Sequence, residues 1–256
     1  MHNVQPSESD ASQRGRLSFI NDLDDGFLQQ TNGHAQVEAA IDNYEIAYRM
    51  QTAVPELVDL ARETEATKTL YGLDSPNAST VAYGRQCLVA RRLIERGVRF
   101  VELTMVGTDG MGQAANPWDQ HTKLEEGHTA NALTVDQPVA GLVKDLKSRG
   151  LLDETLVVFS GEFGRTPFVQ GTNGRDHNPM GFSLWLAGGG LKKGFIYGQT
   201  DEYGYRVVEN AHTVRDLHAT VLHLLGLDYT NLTYRFGGRD FRLTDVDGHP
   251  IRGILA

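Results

Sequence analysis

Cysteine is nearly absent from this chain of 256 residues, which contains only Cys87. A single cysteine cannot form an intramolecular disulfide, and it excludes a metal site built from several thiolates. Because Cys87 lies in an apolar helical pattern, we expect it to be a buried packing residue. Long apolar runs are lacking as well, so the sequence predicts no transmembrane helix, which needs about 18 or more apolar residues.

An excess of positive charge is also missing. Lys and Arg total 24 against 33 Asp and Glu, which gives a formal net charge of -9. Proteins that bind nucleic acid need clustered Lys and Arg to neutralise phosphates, so we expect no nucleic-acid partner. A small anionic substrate is still compatible with this negative net charge, because a bound metal cation makes the local electrostatic potential positive. No signal-peptide pattern is visible in residues 1–16, and the residues themselves leave the compartment and the oligomeric state open.

The remaining pattern alternates helices with short buried strands. Residues 1–16 are polar and predict a disordered start, and residues 17–256 predict a single domain with a mainly helical segment at 17–80. Strands are predicted at 98–105, 155–159 and 182–187, a long polar loop at 160–181, and helices at 84–96, 136–150 and 214–225. This alternation is typical of an α/β fold with helices on both faces of a sheet. In such folds the binding and catalytic residues usually lie in loops at the carboxyl ends of the strands.

The loop after the predicted strand 98–105 carries the first candidate site, Asp119 and His121. A carboxylate and an imidazole two residues apart can face one ion if the loop curls, and oxygen and nitrogen donors together suit Zn, Mn or Fe. The alternative is that Asp119 caps the helix that follows and that His121 is a surface residue.

The segment SGEFGRTP at 160–167 follows the most strand-like run and carries the second candidate site. Its glycines allow a sharp turn, so that Glu162 and Arg165 project at the edge of the sheet. The carboxylate of Glu162 could bind a cation, and the guanidinium of Arg165 could form a bidentate hydrogen bond with a phosphate or sulfate. The alternative is a surface ion pair of little energetic value.

The segment GRDHNP at 174–179 is the third candidate. His177 is placed to be a metal ligand, and Asp176 could be a second ligand or could orient the imidazole ring. The alternative is that Asp176 and Asn178 are ordinary turn formers before a proline.

The region near residue 215 is predicted to be structural. Thr213 and Asp216 fit a capping box, so Asp216 is expected to complete a helix N-terminus. His218 and His223 lie five residues apart in that helix and are interpreted as structural or surface residues. The chain contains no G-x-S-x-G nucleophile elbow and no phosphate-binding P-loop motif.

Four of these segments together resemble a bacterial family, the domain-of-unknown-function 1501 family, which is usually grouped with the alkaline phosphatase and sulfatase superfamily. The resemblance extends over residues 17–255, and the segments are SGEFGRTP (160–167), GRDHNP (174–179), GFSLWLAGGG (181–190) and DLHATVLHLLGL (216–227). It implies an alkaline-phosphatase-like, three-layer fold, and an exported or periplasmic location.

The resemblance also implies a pair of adjacent metal subsites with a nucleophile between them. Asp119 and His121 resemble the Asp and His of one subsite, and His177 resembles its later histidine. The other subsite normally takes an Asp-His dipeptide, and here Glu162 stands at the Asp position while Phe163 replaces the histidine. This departure argues against a full second metal site.

The resemblance implies a first strand that carries an aspartate ligand and is followed by the nucleophile. The residues before Ser18 show no such strand pattern. The chain is therefore expected to be the C-terminal part of the domain, from a truncated gene or a partial sequence, and to lack the N-terminal strands. Such a fragment is expected to be inactive on its own and prone to aggregation, because strand edges and apolar faces would be exposed.

The leading hypothesis is a metal-dependent hydrolase of phosphate or sulfate esters. Asp119, His121 and His177 would hold one divalent ion (Zn, Ca, Mn or Fe), while Glu162 would assist a weaker second ion or act as a base. Arg165 would hold the anionic group of the substrate. The alternative is a non-catalytic binding or scaffold relative that recognises a sulfated or acidic glycan, and a third possibility is that these clusters are only turn and cap residues.

Overall fold

The structure is a computed structural model that describes residues 8–31, 33–105, 107–108, 114–115 and 118–256. The chain divides into two compact units, Met1–Thr64 and Glu65–Ala256. The single domain that the sequence predicts for residues 17–256 stays a prediction. Within the described residues, no helix is both long and apolar enough to cross a membrane.

The first unit contains two helices, α1 (Asp10–Thr31) and α2 (Ala35–Val58), which contact each other. The Tyr48 hydroxyl of α2 donates a hydrogen bond of 2.6 Å to Asp10 Oδ1 of α1. The disorder predicted for residues 1–16 is wrong for residues 10–16, where an ion pair between Arg14 and Asp10, one helical turn apart, supports the helix. Residues 1–7 lie outside the described residues.

The core of the second unit lies between two long helices. The helices of this unit are α3 (Glu65–Leu70), α4 (Ala78–Glu95), α5 (Leu124–Ser148) and α6 (Val214–Leu224), and α4 packs against α5. Cys87 is fully buried on α4, as the sequence predicts, and burial raises the pKa of its thiol to about 12. The thiol is therefore a packing group and is protonated at neutral pH.

Tyr71, at the end of α3, is inserted into this core and is fully buried. Its backbone lies against Gly84 and Gly141, where a Cβ atom would approach Tyr71 O to 2.1 Å and Leu70 O to 2.5 Å. Its hydroxyl donates to Asp145 Oδ2 at 3.0 Å, and burial, followed by the charge of Asp145, raises the pKa of the phenol. The two glycines thus allow a loop to bring a phenol to a buried carboxylate.

The strands of the described residues are short and form five antiparallel pairs. The pairs are β1 (Gly107–Thr108) with β2 (Ala114–Ala115), β3 (Val157–Phe159) with β6 (Trp185–Ala187), β4 (Gly164–Gln170) with β5 (Gly174–Asn178), β7 (Gln199–Thr200) with β8 (Val207–Glu209), and β9 (Thr233–Phe236) with β10 (Arg239–Arg242). A short 3-10 helix, Arg252–Ile254, lies near the C-terminus. The chain is thus a mixed α/β protein with small sheets.

Each sheet of the described residues has only two strands, and one predicted strand is missing from them. The strand predicted at 98–105 is not formed, because none of the strands that the structure describes pairs with it, and Phe100 in this segment is 67% exposed. The strands predicted at 155–159 and 182–187 are present in shortened form as β3 and β6, which pair with each other.

The long loop predicted at 160–181 is instead mostly a β-hairpin. Strands β4 and β5 are joined by residues 171–173 and pair from Gly164 opposite Asn178 to Gln170 opposite Gly174. Polar and glycine residues predict a loop in isolation, but here antiparallel hydrogen bonds satisfy the backbone. The register shifts between Arg165 and Val169, which indicates a bulge in β4.

The capping box predicted at the start of α6 is confirmed. Thr213 Oγ1 accepts a hydrogen bond from Asp216 N, and Asp216 Oδ2 accepts one of 2.8 Å from Thr213 N. Asp216 Oδ1 also accepts from His249 N at 2.8 Å, which attaches the C-terminal segment to the helix. Burial opposes the charge of Asp216, but the N–H groups of Thr213 and His249 outweigh it and lower the pKa of this carboxyl.

The substitution Asp216→Asn is expected to lower the free energy of unfolding by about 1 kcal/mol at pH 7, the usual value of a helix cap. Because the folded-state pKa lies below the ordinary value of 3.8, the contribution is present above that pH and is lost as the pH falls through the lowered pKa. Urea unfolding at neutral pH and near pH 3 checks this. The control is Asp153→Asn, which changes an exposed carboxylate. The prediction would be contradicted if wild type and Asp216→Asn differed in unfolding free energy by the same amount at both pH values.

Candidate metal centre

Three side-chain atoms from two separate segments converge in the second unit. Asp119 Oδ1 lies 3.0 Å from His121 Nε2 and 2.9 Å from His177 Nε2, and the two imidazole nitrogens are 3.1 Å apart. These are the three residues that the sequence predicts as ligands of one ion. The alternative role of Asp119 as a helix cap is not supported, because the N-cap of α5 is Lys123.

The spacing of the three atoms fits a tetrahedral transition metal. A Zn–N distance of about 2.0–2.1 Å places neighbouring ligands about 3.3 Å apart, close to the observed separations. Two neutral imidazole nitrogens that face each other at 3.1 Å need a proton or a cation between them. All three side chains are partly exposed, so solvent or a substrate can reach a fourth coordination position.

The loop that carries Asp119 and His121 is held against the β4–β5 hairpin by backbone hydrogen bonds. Arg175 N donates to Gln120 O at 3.1 Å, and Leu124 N donates to Asn173 O at 3.2 Å. Gly174 lies so close that a Cβ atom there would be 1.8 Å from His121 O. The hairpin that carries His177 therefore also positions the first two ligands.

The register of the hairpin explains why Arg165 belongs to the same cluster. Arg165 lies directly opposite His177 in the antiparallel pair, so both side chains point to one face. Arg165 Nη1 donates to Asp119 Oδ1 at 2.8 Å, and Arg165 Nη2 donates to Glu162 Oε1 at 3.0 Å. The guanidinium thus connects Glu162 to the candidate ligand Asp119.

The charge of Asp119 is stabilised by its neighbours. The hydrogen bond from His177 and then that from Arg165 hold the pKa of the Asp119 carboxyl below its usual range. A carboxylate that stays ionised is the form that binds a cation. At neutral pH Asp119 is therefore in the ionised form that a metal ligand needs.

Gln170, at the end of β4, orients the ring of His121. The Nδ1 atom of His121 is in short contact with Gln170 Oε1, which accepts a hydrogen bond from it. This contact places the proton on Nδ1 and leaves the lone pair of Nε2 facing Asp119 and His177. The sequence does not indicate this role, because a glutamine before a turn gives no signal of metal chemistry.

The sequence model described as a protein of unknown function, DUF1501, matches residues 2–255. The chain belongs to the DUF1501 family. Searches of curated proteins and of solved structures found no match.

In this DUF1501 chain Glu162 is not one of the three converging ligands. Its carboxylate instead binds Arg165, and the neighbouring Phe163 packs its ring 4.3 Å from that of His177. The guanidinium of Arg165 lies 5.5 Å from the centre of the Phe163 ring, in the range of a cation–π contact. Phe163 therefore fills, with an apolar ring, the position at which the resemblance implies a histidine ligand.

The polar neighbours of His177 in β5 have structural contacts. The Asp176 carboxylate accepts a hydrogen bond of 2.8 Å from His177 N, so this contact is to the backbone rather than to the ring. Asn178 is buried, and its amide donates to Tyr205 O at 2.9 Å. These contacts fix the end of the strand, while the side chain of His177 stays directed at Asp119.

The substitution Gly174→Ala is expected to separate the ligand loop from the hairpin. A Cβ atom at residue 174 would overlap His121 O, and relieving such a clash typically costs about 1–3 kcal/mol. We expect a lower unfolding free energy in urea and weaker zinc binding by competition with a chelating dye. Gly161→Ala is the matched control, since a Cβ atom there has no neighbour nearer than 3.9 Å. Similar losses in both variants would contradict this role of Gly174.

Proposed function

We propose that this DUF1501 chain is part of a metal-dependent hydrolase that acts on phosphate or sulfate esters. The observation that carries the proposal is the convergence of Asp119 Oδ1, His121 Nε2 and His177 Nε2 within hydrogen-bonding distance of one another. A set of one carboxylate and two imidazoles with an accessible fourth position is typical of catalytic rather than structural metal sites.

The donor set favours some ions over others. Two imidazole nitrogens and one carboxylate oxygen suit Zn, Mn or Fe, whereas calcium prefers six to eight oxygen ligands. We therefore propose zinc, manganese or iron at this position. An ion held there supplies a Lewis acid for an ester oxygen, or lowers the pKa of a water molecule.

Arg165 is the proposed binding group for the anionic part of the substrate. Two of its five N–H donors serve Asp119 and Glu162, which leaves donors that can reach a phosphate or sulfate oxygen. Glu162 keeps the guanidinium in place and is also the proposed base near the reaction centre. Both residues lie at the β4–β5 hairpin, next to the ligand His177.

A relationship to the alkaline phosphatase and sulfatase superfamily is part of this proposal. It is supported by the order of the motifs along the chain and by the Asp-His-His cluster. The three-layer sheet and the exported location that the relationship implies belong to the proposal too. Cys87 is excluded as the nucleophile because it is fully buried with a raised pKa.

One contact favours the second candidate function, a non-catalytic relative that binds a sulfated or acidic glycan. Phe163 packs on His177 and lies near Arg165, where a second metal would need another imidazole. A protein with one ion and one arginine can bind an anion without cleaving its ester. The two candidate functions therefore share the anion site and differ in turnover.

The test combines binding with turnover. Zinc-loaded and metal-free protein are titrated with inorganic phosphate and sulfate by calorimetry, and aryl phosphate and aryl sulfate esters are offered as substrates. We expect zinc-dependent anion binding that Arg165→Ala weakens by about tenfold or more, the usual loss for a charge-assisted hydrogen bond. Release of the aryl alcohol identifies a hydrolase, and binding without release identifies the glycan-binding relative. Anion binding that depends on neither zinc nor Arg165 would contradict both.

A further inference from the structure

Two residues with strained backbone angles bound the segment that carries Asp119 and His121. Trp118 has a φ of +70° and Lys123 a φ of +52°, both in the left-handed region that residues with a Cβ atom rarely adopt. Four such residues other than glycine occur in the part of the chain that the structure describes, and two of them lie at this one short segment. Because Trp118 directly precedes Asp119, its backbone angles determine where that candidate ligand is placed.

Each of these two conformations has a contact that stabilises it. Lys123 N donates a hydrogen bond of 2.9 Å to Asn173 Oδ1, which attaches one end of the segment to the β4–β5 hairpin. At the other end, the indole ring of Trp118 packs against the imidazole ring of His128 on α5. The ring centroids are 5.4 Å apart and the ring planes meet at 81°, which is an edge-to-face geometry that aromatic pairs prefer.

The strain at Trp118 and its ring contact are comparable in size. A left-handed backbone lowers the population of a residue with a Cβ atom by about tenfold. An edge-to-face aromatic pair favours the contact by up to about tenfold, in addition to the effect of the area that it buries. The contact with His128 can therefore offset the strain, and without it the chain before Asp119 would favour an extended or right-handed conformation.

The residue that follows Asp119 is held by the same helix. The side chain of Gln120 lies against Gly127 of α5, where a Cβ atom would come within 2.4 Å of Gln120 Cγ. The neighbours of Asp119 on both sides thus rest on the first turns of α5, Trp118 through its ring and Gln120 through its side chain. The direction of the Asp119 carboxylate therefore depends on these two contacts.

We propose that Trp118 is a positioning residue of the candidate metal centre. Its ring, held by His128, keeps the backbone left-handed and so directs Asp119 Oδ1 toward the imidazoles of His121 and His177. The inference rests on the proposed function, because it concerns the ligands of the same ion. Trp118 acts through Asp119 and does not itself hold the metal. A purely structural ring would instead change the stability of the fold and leave the affinity for zinc unchanged.

The test compares Trp118→Ala and Trp118→Phe with wild type in the full chain. Zinc affinity is measured by competition with a chelating dye, and we expect Trp118→Ala to bind zinc about tenfold more weakly. Trp118→Phe keeps an aromatic ring for His128 and should retain most of the affinity. The visible absorption of bound Co²⁺ reports the geometry of its ligands, so it should change in Trp118→Ala and stay close to that of wild type in Trp118→Phe.

Two further variants separate positioning from general destabilisation. Trp185→Ala is the matched control, because it removes the other tryptophan of the chain, whose ring stacks on Phe159 of β3 at 5.3 Å. It should bind zinc like wild type, even if its Tm falls. His128→Ala removes the second ring of the contact, and its combination with Trp118→Ala should bind zinc no more weakly than Trp118→Ala alone, because both changes remove one interaction.

Several results would overturn the positioning role. These are unchanged zinc affinity and cobalt absorption in Trp118→Ala, an equal loss of affinity in Trp185→Ala, or a double variant whose losses simply add. If Trp118→Ala does not fold, His128→Ala is read in its place, with the same tenfold loss expected and an unchanged affinity contradicting the inference. Absence of zinc binding by wild type would overturn the proposed function together with this inference, whereas the other results would overturn the role of Trp118 alone.

Discussion

Replacing His177 with alanine is expected to reduce bound zinc from about one ion per chain to nearly none. The substitution removes one of the three candidate ligand atoms, which lie 2.9–3.1 Å apart. The two ligands that remain are expected to bind zinc only weakly. The measurement is elemental analysis after the protein has been loaded with zinc and passed over a desalting column. Manganese and iron are tested in the same way.

The matched control is His223→Ala, which also removes a histidine but from the exposed surface of α6. We expect this variant to keep the zinc of the wild type. Thermal unfolding gives a second measurement, because a ligand at 100 times its Kd adds about 2.7 kcal/mol to the stability of the folded state. Zinc should therefore raise the Tm of wild type and His223→Ala but not that of His177→Ala. Equal zinc content in all three proteins would remove the metal assignment.

The residues of the candidate site were predictable from the sequence, but the hairpin that joins them was not. Asp119, His121 and His177 stand out because a carboxylate and imidazoles in polar loops can bind a metal ion, although cap, turn and surface roles are the alternatives that the sequence leaves open. The 160–181 segment was predicted as a loop because its polar, glycine-containing composition lacks strand periodicity. Its pairing depends on the register that places Arg165 opposite His177, and a register is a property of two segments together.

Gln170 is missed for a related reason. It carries a neutral amide, and nothing in its sequence surroundings distinguishes it from a surface residue. Its importance comes from its contact with His121, which only the folded chain provides.

Helices were predicted better than strands throughout the second unit. The apolar repeat of α6 and its capping box are local signals, and both are confirmed. A strand-like segment such as 98–105 indicates only that a strand is possible, because a strand needs a neighbour to satisfy its backbone. The described residues provide no such neighbour for this segment, so its apolar residues remain partly exposed.

Loss of the buried carboxylate of Asp145 is expected to be the most damaging single change to the fold. Asp145 accepts a hydrogen bond from Tyr71 and forms ion pairs with Arg91 Nε at 3.2 Å and Arg149 Nε at 2.7 Å. The side chains of Arg91 and Asp145 are only 3% and 7% exposed. In Asp145→Ala the Arg91 guanidinium would keep its charge in the core with Glu95 as its remaining ion-pair partner, and removing one partner of a buried ion pair typically costs about 3–5 kcal/mol.

The measurement is urea unfolding of Asp145→Ala and of Asp153→Ala, whose exposed ion pair with Lys193 should contribute less than about 1 kcal/mol. A double variant, Arg91→Met with Asp145→Leu, separates the loss of the Arg91–Asp145 pair from the penalty of a buried charge that has lost a partner. Because apolar side chains of similar volume often replace a buried ion pair at little cost, the double variant should be more stable than Asp145→Ala. If the double variant is instead as unstable as Asp145→Ala, the stabilisation comes from the whole network that includes Tyr71, Glu95 and Arg149, and not from the Arg91–Asp145 pair alone.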